Sequence, residues 1–183
     1  MWIKQYFNKN WVDMVHKIAE GYPDQQGEIY QYSAKTDNLK VLNENYTQRW
    51  IPTNKHKQLL DHFNEIAFKA NKEMFGYDLW FSTETIQYTT YDGKVQGEFP
   101  THTDSILFGK PSTQKLTVVV GLTDSAAYEG GMLEIDLTKQ QLQYKLSAGQ
   151  VIIFPSMVNH RVTPVTAGIR KTLVTWYSGP MWR

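Results

Sequence analysis

The sequence predicts a mainly β fold with supporting helices, and three observations carry that expectation. From Glu84 onward, β-branched and aromatic residues come in short runs separated by turn signals. Before that point, apolar residues recur at spacings of three and four, the period of a helix face. The chain is also rich in rings, with 6 Trp, 11 Tyr and 8 Phe, residues that favour strands and pocket walls.

In the first half, Leu59, Leu60, Phe63, Ile66, Ala67, Ala70 and Met74 mark an amphipathic helix between Asn54 and Met74, with Gly76 just beyond its end. A shorter helix is expected from Trp11 to Ala19. The stretch Gly21–Asn45 is polar and without clear period; Glu28–Tyr32 reads as a short strand within it, and the whole is a candidate lid. In the second half, strands are expected at Glu84–Tyr91, Lys115–Leu122, Gly131–Ile135, Leu142–Leu146, Gln150–Phe154 and Arg170–Tyr177. Asp92-Gly93, Gly130-Gly131, Ala148-Gly149 and Gly168 supply the turns between them. Short strands after a helical lead-in predict helices packed on a β-sandwich or jelly-roll barrel.

No repeat, low-complexity tract or linker divides the chain. At 183 residues it is long enough to bury about 70% of its unfolded surface without staples. A single domain over 1–183 is expected, with 1–80 a helical support region and 81–183 the β core.

Composition removes several function classes. With no cysteine, disulfides, thiol nucleophiles and iron–sulfur clusters are out, and any metal ligands come from His, Asp and Glu. Net charge is +1 with both signs interspersed, and no basic stripe of the kind that binds nucleic acid is present. No stretch approaches 18 apolar residues and the N-terminus carries no signal-peptide core, so no membrane span and a cytoplasmic location are expected.

Only five histidines are available: His16, His56, His62, His102 and His160. The first three sit in the helical half and read as packing or surface residues. His102 and Asp104, two apart, point to one face if Thr101–Asp104 is extended. His160, after the run Phe154-Pro155-Ser156, is the remaining histidine of the β-rich half. Two imidazoles and one carboxylate on one octahedral face leave three open positions, as in non-haem Fe(II) oxygenases. Taken singly, the three residues read equally well as a surface hydrogen-bonding pair and a turn histidine.

Ten residues after His160 stands Arg170. On a strand it shares a face with Thr172, Val174 and Trp176, while Lys171, Leu173, Thr175 and Tyr177 share the other. A guanidinium heading a largely apolar inward face needs an anion, because leaving a buried charge unpaired costs roughly several kcal/mol. The far carboxylate of a diacid would satisfy it with a bidentate pair, and Thr172 is placed to add a hydroxyl. A structural Asp or Glu partner is the plain alternative.

Six segments together resemble the 2-oxoglutarate- and Fe(II)-dependent dioxygenases of the prolyl 4-hydroxylase type, in order and spacing over roughly residues 80–183. They are Ile86-Gln87-Tyr88, Phe99–Ser105, Tyr128–Glu134, Gly149–Pro155, His160–Val165, and Gly168-Ile169-Arg170 with Trp176. The tail Trp176–Pro180 is similar to that of small microbial and phage-type members.

That resemblance implies a double-stranded β-helix, a distorted jelly roll, with N-terminal helices packed on one face. It implies His102, Asp104 and His160 as iron ligands and Arg170 as the binder of the distal 2-oxoglutarate carboxylate. Tyr88 matches the tyrosine that lines the 2-oxoglutarate pocket, with Tyr91 a nearby competitor. One departure stands out: where some relatives carry a second pocket tyrosine, this chain has Gly121. The implied cofactors are Fe(II), 2-oxoglutarate as co-substrate and O2, with ascorbate as reductant; Asp104 favours hydroxylation over halogenation. The implied substrate is a prolyl residue of a peptide or protein. A free amino acid or other small molecule is the alternative, and a non-enzymatic metal-binding jelly-roll module is the third. Arg161 and Trp176 are expected at the surface and in the core.

Overall fold

The protein is described by a computed structural model covering residues 1–33, 38–82, 84–105, 112–137 and 140–182. In chain order the elements are β1 (Trp2–Gln5), α1 (Lys9–Glu20), β2 (Gln25–Ser33), β3 (Asn38–Pro52) and α2 (Lys57–Ala70). They continue with β4 (Phe81–Ser82), β5 (Thr85–Asp92), β6 (Phe99–His102), β7 (Ser112–Gly121) and β8 (Tyr128–Gly130). The chain ends with β9 (Leu133–Leu137), β10 (Gln140–Tyr144), β11 (Gln150–Pro155), β12 (His160–Val162) and β13 (Val165–Pro180). The described chain is thus mostly β with two α-helices.

Each helix forms where local chemistry favours it. The Asn8 side chain accepts the Trp11 N–H at 3.0 Å and caps α1, whose apolar positions Trp11, Val12, Val15 and Ala19 are buried together. Helix α2 buries Leu59, Phe63, Ile66, Ala67 and Ala70, runs into a π-helical turn, and stops at Gly76 in the left-handed region (φ +66).

All strand pairings are antiparallel. The large sheet runs β1-β11-β7-β13-β5-β3-β2, with β4 and β8 also pairing with β13; the small sheet runs β10-β9-β12-β6. The polar stretch Gly21–Asn45 is therefore largely strand: β2 pairs with β3 from Gln25↔Gln48 to Ser33↔Asn38 and extends the edge of the large sheet. Residues 34–37 of that stretch lie outside the described residues. The candidate lid is a hairpin whose lower part forms sheet wall.

Alternation on the large sheet divides the core in two. Ile86 and Tyr88 of β5, Leu116, Val118 and Val120 of β7, and Leu173 and Tyr177 of β13 join the buried faces of both helices in one cluster. Val119, Ile152 and Phe154 point the other way and meet Leu133, Ile135 and Val162 of the small sheet in a second cluster. Between the two sheets lies a cavity of about 470 Å³. No described helix is long and apolar enough to cross a membrane.

Candidate active site

Strand β6 brings His102 into register with His160 of β12, so two residues distant in sequence become cross-strand neighbours. Their ring centroids lie 4.2 Å apart. Asp104 follows just past β6, its backbone N–H donating to the Ser156 carbonyl at 2.9 Å. The His102 Nε2 stands 3.2 Å from Asp104 Oδ1, and the His160 Nε2 stands 3.5 Å from Asp104 Oδ2. One donor atom from each of the three lies within 4.8 Å of the others, close enough to share one ion.

The second nitrogen of each ring is already engaged. His102 Nδ1 is 2.9 Å from the Pro100 carbonyl and His160 Nδ1 is 3.0 Å from the Val158 carbonyl. A carbonyl only accepts, so each ring, when neutral, carries its proton on Nδ1 and turns the Nε2 lone pair inward, as a metal ligand requires. Asp104 is held as tightly. Thr117 Oγ1 donates to its Oδ2 at 2.6 Å and also lies 2.9 Å from Ser156 Oγ. Burial acts to raise the Asp104 pKa, but in the metal-free site a protonated His102 donating to it, the charge of both imidazolium rings and the Thr117 hydroxyl outweigh that and hold the carboxyl below its ordinary value. Burial lowers the His160 pKa, against the opposing pull of Asp104, which favours the neutral imidazole.

The same cavity is lined by Arg170. Its residue is 2% exposed, and its buried Nε and Nη1 have no hydrogen-bond partner among the described residues. A guanidinium in that state calls for a carboxylate. Thr172, also 2% exposed, lines the cavity on the same strand face. Gly131 (φ +60) makes room for this arginine: a Cβ there would come within 2.9 Å of Arg170 Cδ.

Tyr88 is not at this site. It sits on the helix-facing side of β5, where its hydroxyl meets His16 Nδ1 at 2.9 Å. Tyr91, three residues on and therefore on the opposite face, pairs with Arg170 in the β5–β13 register and lies with its ring centroid 5.0 Å from the guanidinium carbon. Tyr128 flanks the other side; its hydroxyl donates to the Leu146 carbonyl at 2.9 Å. Burial raises both phenol pKa values and the neighbouring Arg170 pulls against that rise. No side chain could extend from Gly121, because a Cβ there would meet the Ser147 carbonyl oxygen at 2.4 Å; Tyr128 supplies a phenol next to Arg170 instead.

His16, His56 and His62 each pack against a ring partner, as expected: Tyr88, Tyr22 and Trp11 respectively. Arg161 turns outward and donates through Nε to Glu134. Trp176 is not core: it lines the cavity with Trp50, the two ring centroids 6.4 Å apart. Thr117 lies outside the segments that carry the resemblance, and Tyr128 opens one of them without being singled out as a site residue. For Thr117 a signal does exist, because strand parity on β7 places it with Val119 on the face opposite the helix-facing valines.

Two facing antiparallel sheets with a His-Asp-His triad and a buried arginine between them define a jelly-roll protein of the 2-oxoglutarate oxygenase kind. The chain belongs to the 2OG-Fe(II) oxygenase superfamily, whose model matches residues 86–178. Over 81 residues it is 40% identical to a PKHD-type hydroxylase of Synechococcus sp. (strain CC9311), a match covering 44% of this chain and 36% of that protein. The chain thus spans little more than a third of the length of that curated relative. In structure it is similar to a Pseudomonas putida prolyl-4-hydroxylase, with a TM-score of 0.68 at 16% identity over 100% of this chain and 92% of that one. It is also similar to a Trichoplax adhaerens prolyl hydroxylase in complex with a hypoxia inducible factor oxygen degradation domain peptide fragment, with a TM-score of 0.71 at 16% identity over 96% and 82% of the two chains. At those identities the likeness speaks for the fold.

Proposed function

We propose that the protein is an Fe(II)- and 2-oxoglutarate-dependent dioxygenase that hydroxylates a C–H bond, with a prolyl residue of a peptide or protein as substrate. One observation carries the reading: three converging metal-binding side chains and a buried guanidinium lacking partners at Nε and Nη1 line one cavity. Family membership and the prolyl hydroxylase neighbours support the class of reaction and of substrate.

In this reading His102, Asp104 and His160 would hold Fe(II), with the Thr117 hydroxyl fixing the Asp104 carboxylate through Oδ2. Arg170 receives the distal carboxylate of 2-oxoglutarate, with Thr172 and the Tyr91 and Tyr128 phenols around it. Iron held there would supply O2 activation, with oxidative decarboxylation of 2-oxoglutarate to succinate and CO2 providing the two electrons for conversion of a substrate C–H to C–OH; ascorbate would serve only to return oxidised iron to Fe(II). The protein contributes positioning: carbonyl-fixed imidazoles, a carboxylate held by the Thr117 hydroxyl, and a charged anchor in a buried wall. Trp50 and Trp176 line the cavity and supply apolar surface for a pyrrolidine ring.

The test is turnover of the purified chain with Fe(II), ascorbate, O2 and 2-oxoglutarate. Slow succinate release without added substrate is expected, and loss of both iron and turnover in His102→Ala and His160→Ala. Absence of succinate together with absence of 2-oxoglutarate binding would overturn the reading.

A further inference from the structure

Beyond the triad and the arginine, the cavity carries a polar feature that the oxygenase reaction leaves unused. Gln48 of β3 and Gln87 of β5 both line it, and Gln87 Nε2 donates to Gln48 Oε1 at 2.5 Å. Gln87 is 7% exposed and so sits in the wall, not at the surface.

A primary amide offers one oxygen acceptor and two N–H donors. The bond between the two glutamines uses the oxygen of one and a single N–H of the other. That leaves the oxygen and second N–H of the donating amide and both N–H groups of the accepting one, on two residues of the cavity lining. Exchanging oxygen and nitrogen on both side chains gives the same result, because one amide must donate and the other accept. The ledge therefore offers an amide acceptor beside amide donors however the amides are assigned. An extended peptide residue shows the complement: its own N–H and C=O point to the same side of the strand.

The charges in the cavity point the same way. Its charged lining residues, among those described, are Glu28, Asp104 and Arg170, apart from the two histidines. Arg170 is committed to 2-oxoglutarate in the proposed function, and Asp104 to the metal. A free amino acid would bring a carboxylate with no further cation among the described lining residues to receive it, and burying that charge unpaired is costly. A residue within a chain has neutral amides on both sides and raises no such demand.

We infer that Gln48 and Gln87 form a main-chain recognition ledge that binds the N–H and C=O of an extended residue adjoining the hydroxylated one. The substrate is accordingly amide-bonded on both sides, a peptide segment and not a free amino acid. This inference rests on the oxygenase reading and extends it to substrate class.

The probes are acetyl-Gly-Xaa-Gly-amide tripeptides, with Xaa each of the common residues, and the corresponding free amino acids. Each is titrated calorimetrically into protein loaded with Mn(II) and 2-oxoglutarate. The best capped tripeptide should bind at least about tenfold more tightly than its free amino acid, and Gln87→Leu should weaken it about tenfold, as expected for loss of hydrogen bonds to a buried partner. Gln48→Leu, at a more exposed position, provides a second variant with the same expected direction, and retained 2-oxoglutarate binding shows that each variant is folded. A free amino acid binding as tightly as its capped form, both variants binding the tripeptide like wild type, or no tripeptide binding at all would overturn the inference. Failure of the wild type to bind 2-oxoglutarate in the presence of Mn(II) would instead remove the oxygenase reading itself, and the ledge with it.

Discussion

The two faces of the large sheet are made by the same strands and do opposite work. On β5, β7 and β13 the helix-facing side chains Ile86, Leu116, Val118, Val120, Leu173 and Tyr177 are sealed against α1 and α2. One residue along in each strand, Gln87, Thr117, Arg170 and Thr172 line a cavity. The first face contributes stability through apolar burial, at roughly 25 cal/mol per Å². The second holds polar groups, among them Arg170, whose Nε and Nη1 have no hydrogen-bond partner among the described residues. A period-2 strand thus separates folding from chemistry by a single residue step.

The largest effect of breaking that division should come from the sealed face. Leu173→Ala removes a fully buried side chain and should cost about 2–5 kcal/mol in urea unfolding, while 2-oxoglutarate affinity of the folded fraction stays near wild type. Arg170→Ala should do the reverse. Stability should hold or rise, since an unpaired buried guanidinium is removed, while 2-oxoglutarate affinity falls by about 1.5–3 kcal/mol without matching loss of metal. An unchanged 2-oxoglutarate requirement would move the anchor to another group. Smaller again is Thr117→Val, which frees Asp104 Oδ2 and should weaken Mn(II) binding by about 10–100-fold with a smaller loss of stability than Leu173→Ala.

The smallest effect concerns the helix-facing side. Burial first, then the charge of Lys171, holds the His16 pKa below its ordinary 6.5, against weaker upward pulls from the Leu122 carbonyl, Asp13 and Glu20. The unfolded chain therefore binds this proton more readily, and stability falls as pH drops below about 6.5 towards the folded pKa. Melting temperature should decline between about pH 7.5 and about pH 5.5, and His16→Asn should lessen the decline. Equal declines in the two proteins would show that His16 is not the group responsible.

What the sequence disclosed follows the same division. Sealed positions announce themselves, because apolar residues at helical or alternating spacing mark a buried face directly; hence α2 and the core strands were legible. The triad was legible because His102 and Asp104 share a parity and β-rich histidines are scarce. Tyr88 against Tyr91 was not, because parity says that the two face opposite ways without saying which way is inward. That choice belongs to the register of β5 on β13, where Tyr91 lands opposite Arg170. Beyond the short strand read at Glu28–Tyr32, which lies within β2, the pair β2–β3 escaped for a related reason: Gln25 and Gln48 line a cavity and not a core, so the apolar alternation that marks a strand is missing. Trp176 was misplaced by composition, since an indole suits a cavity wall as well as a core.

Calorimetric titration of 2-oxoglutarate, with and without Mn(II), into wild type and Arg170→Ala tests the assignment of both ends of the cavity at once. Binding that requires the metal in wild type and is at least about tenfold weaker in the variant is the predicted result. Binding that is indifferent to metal and equal in the two proteins would contradict it.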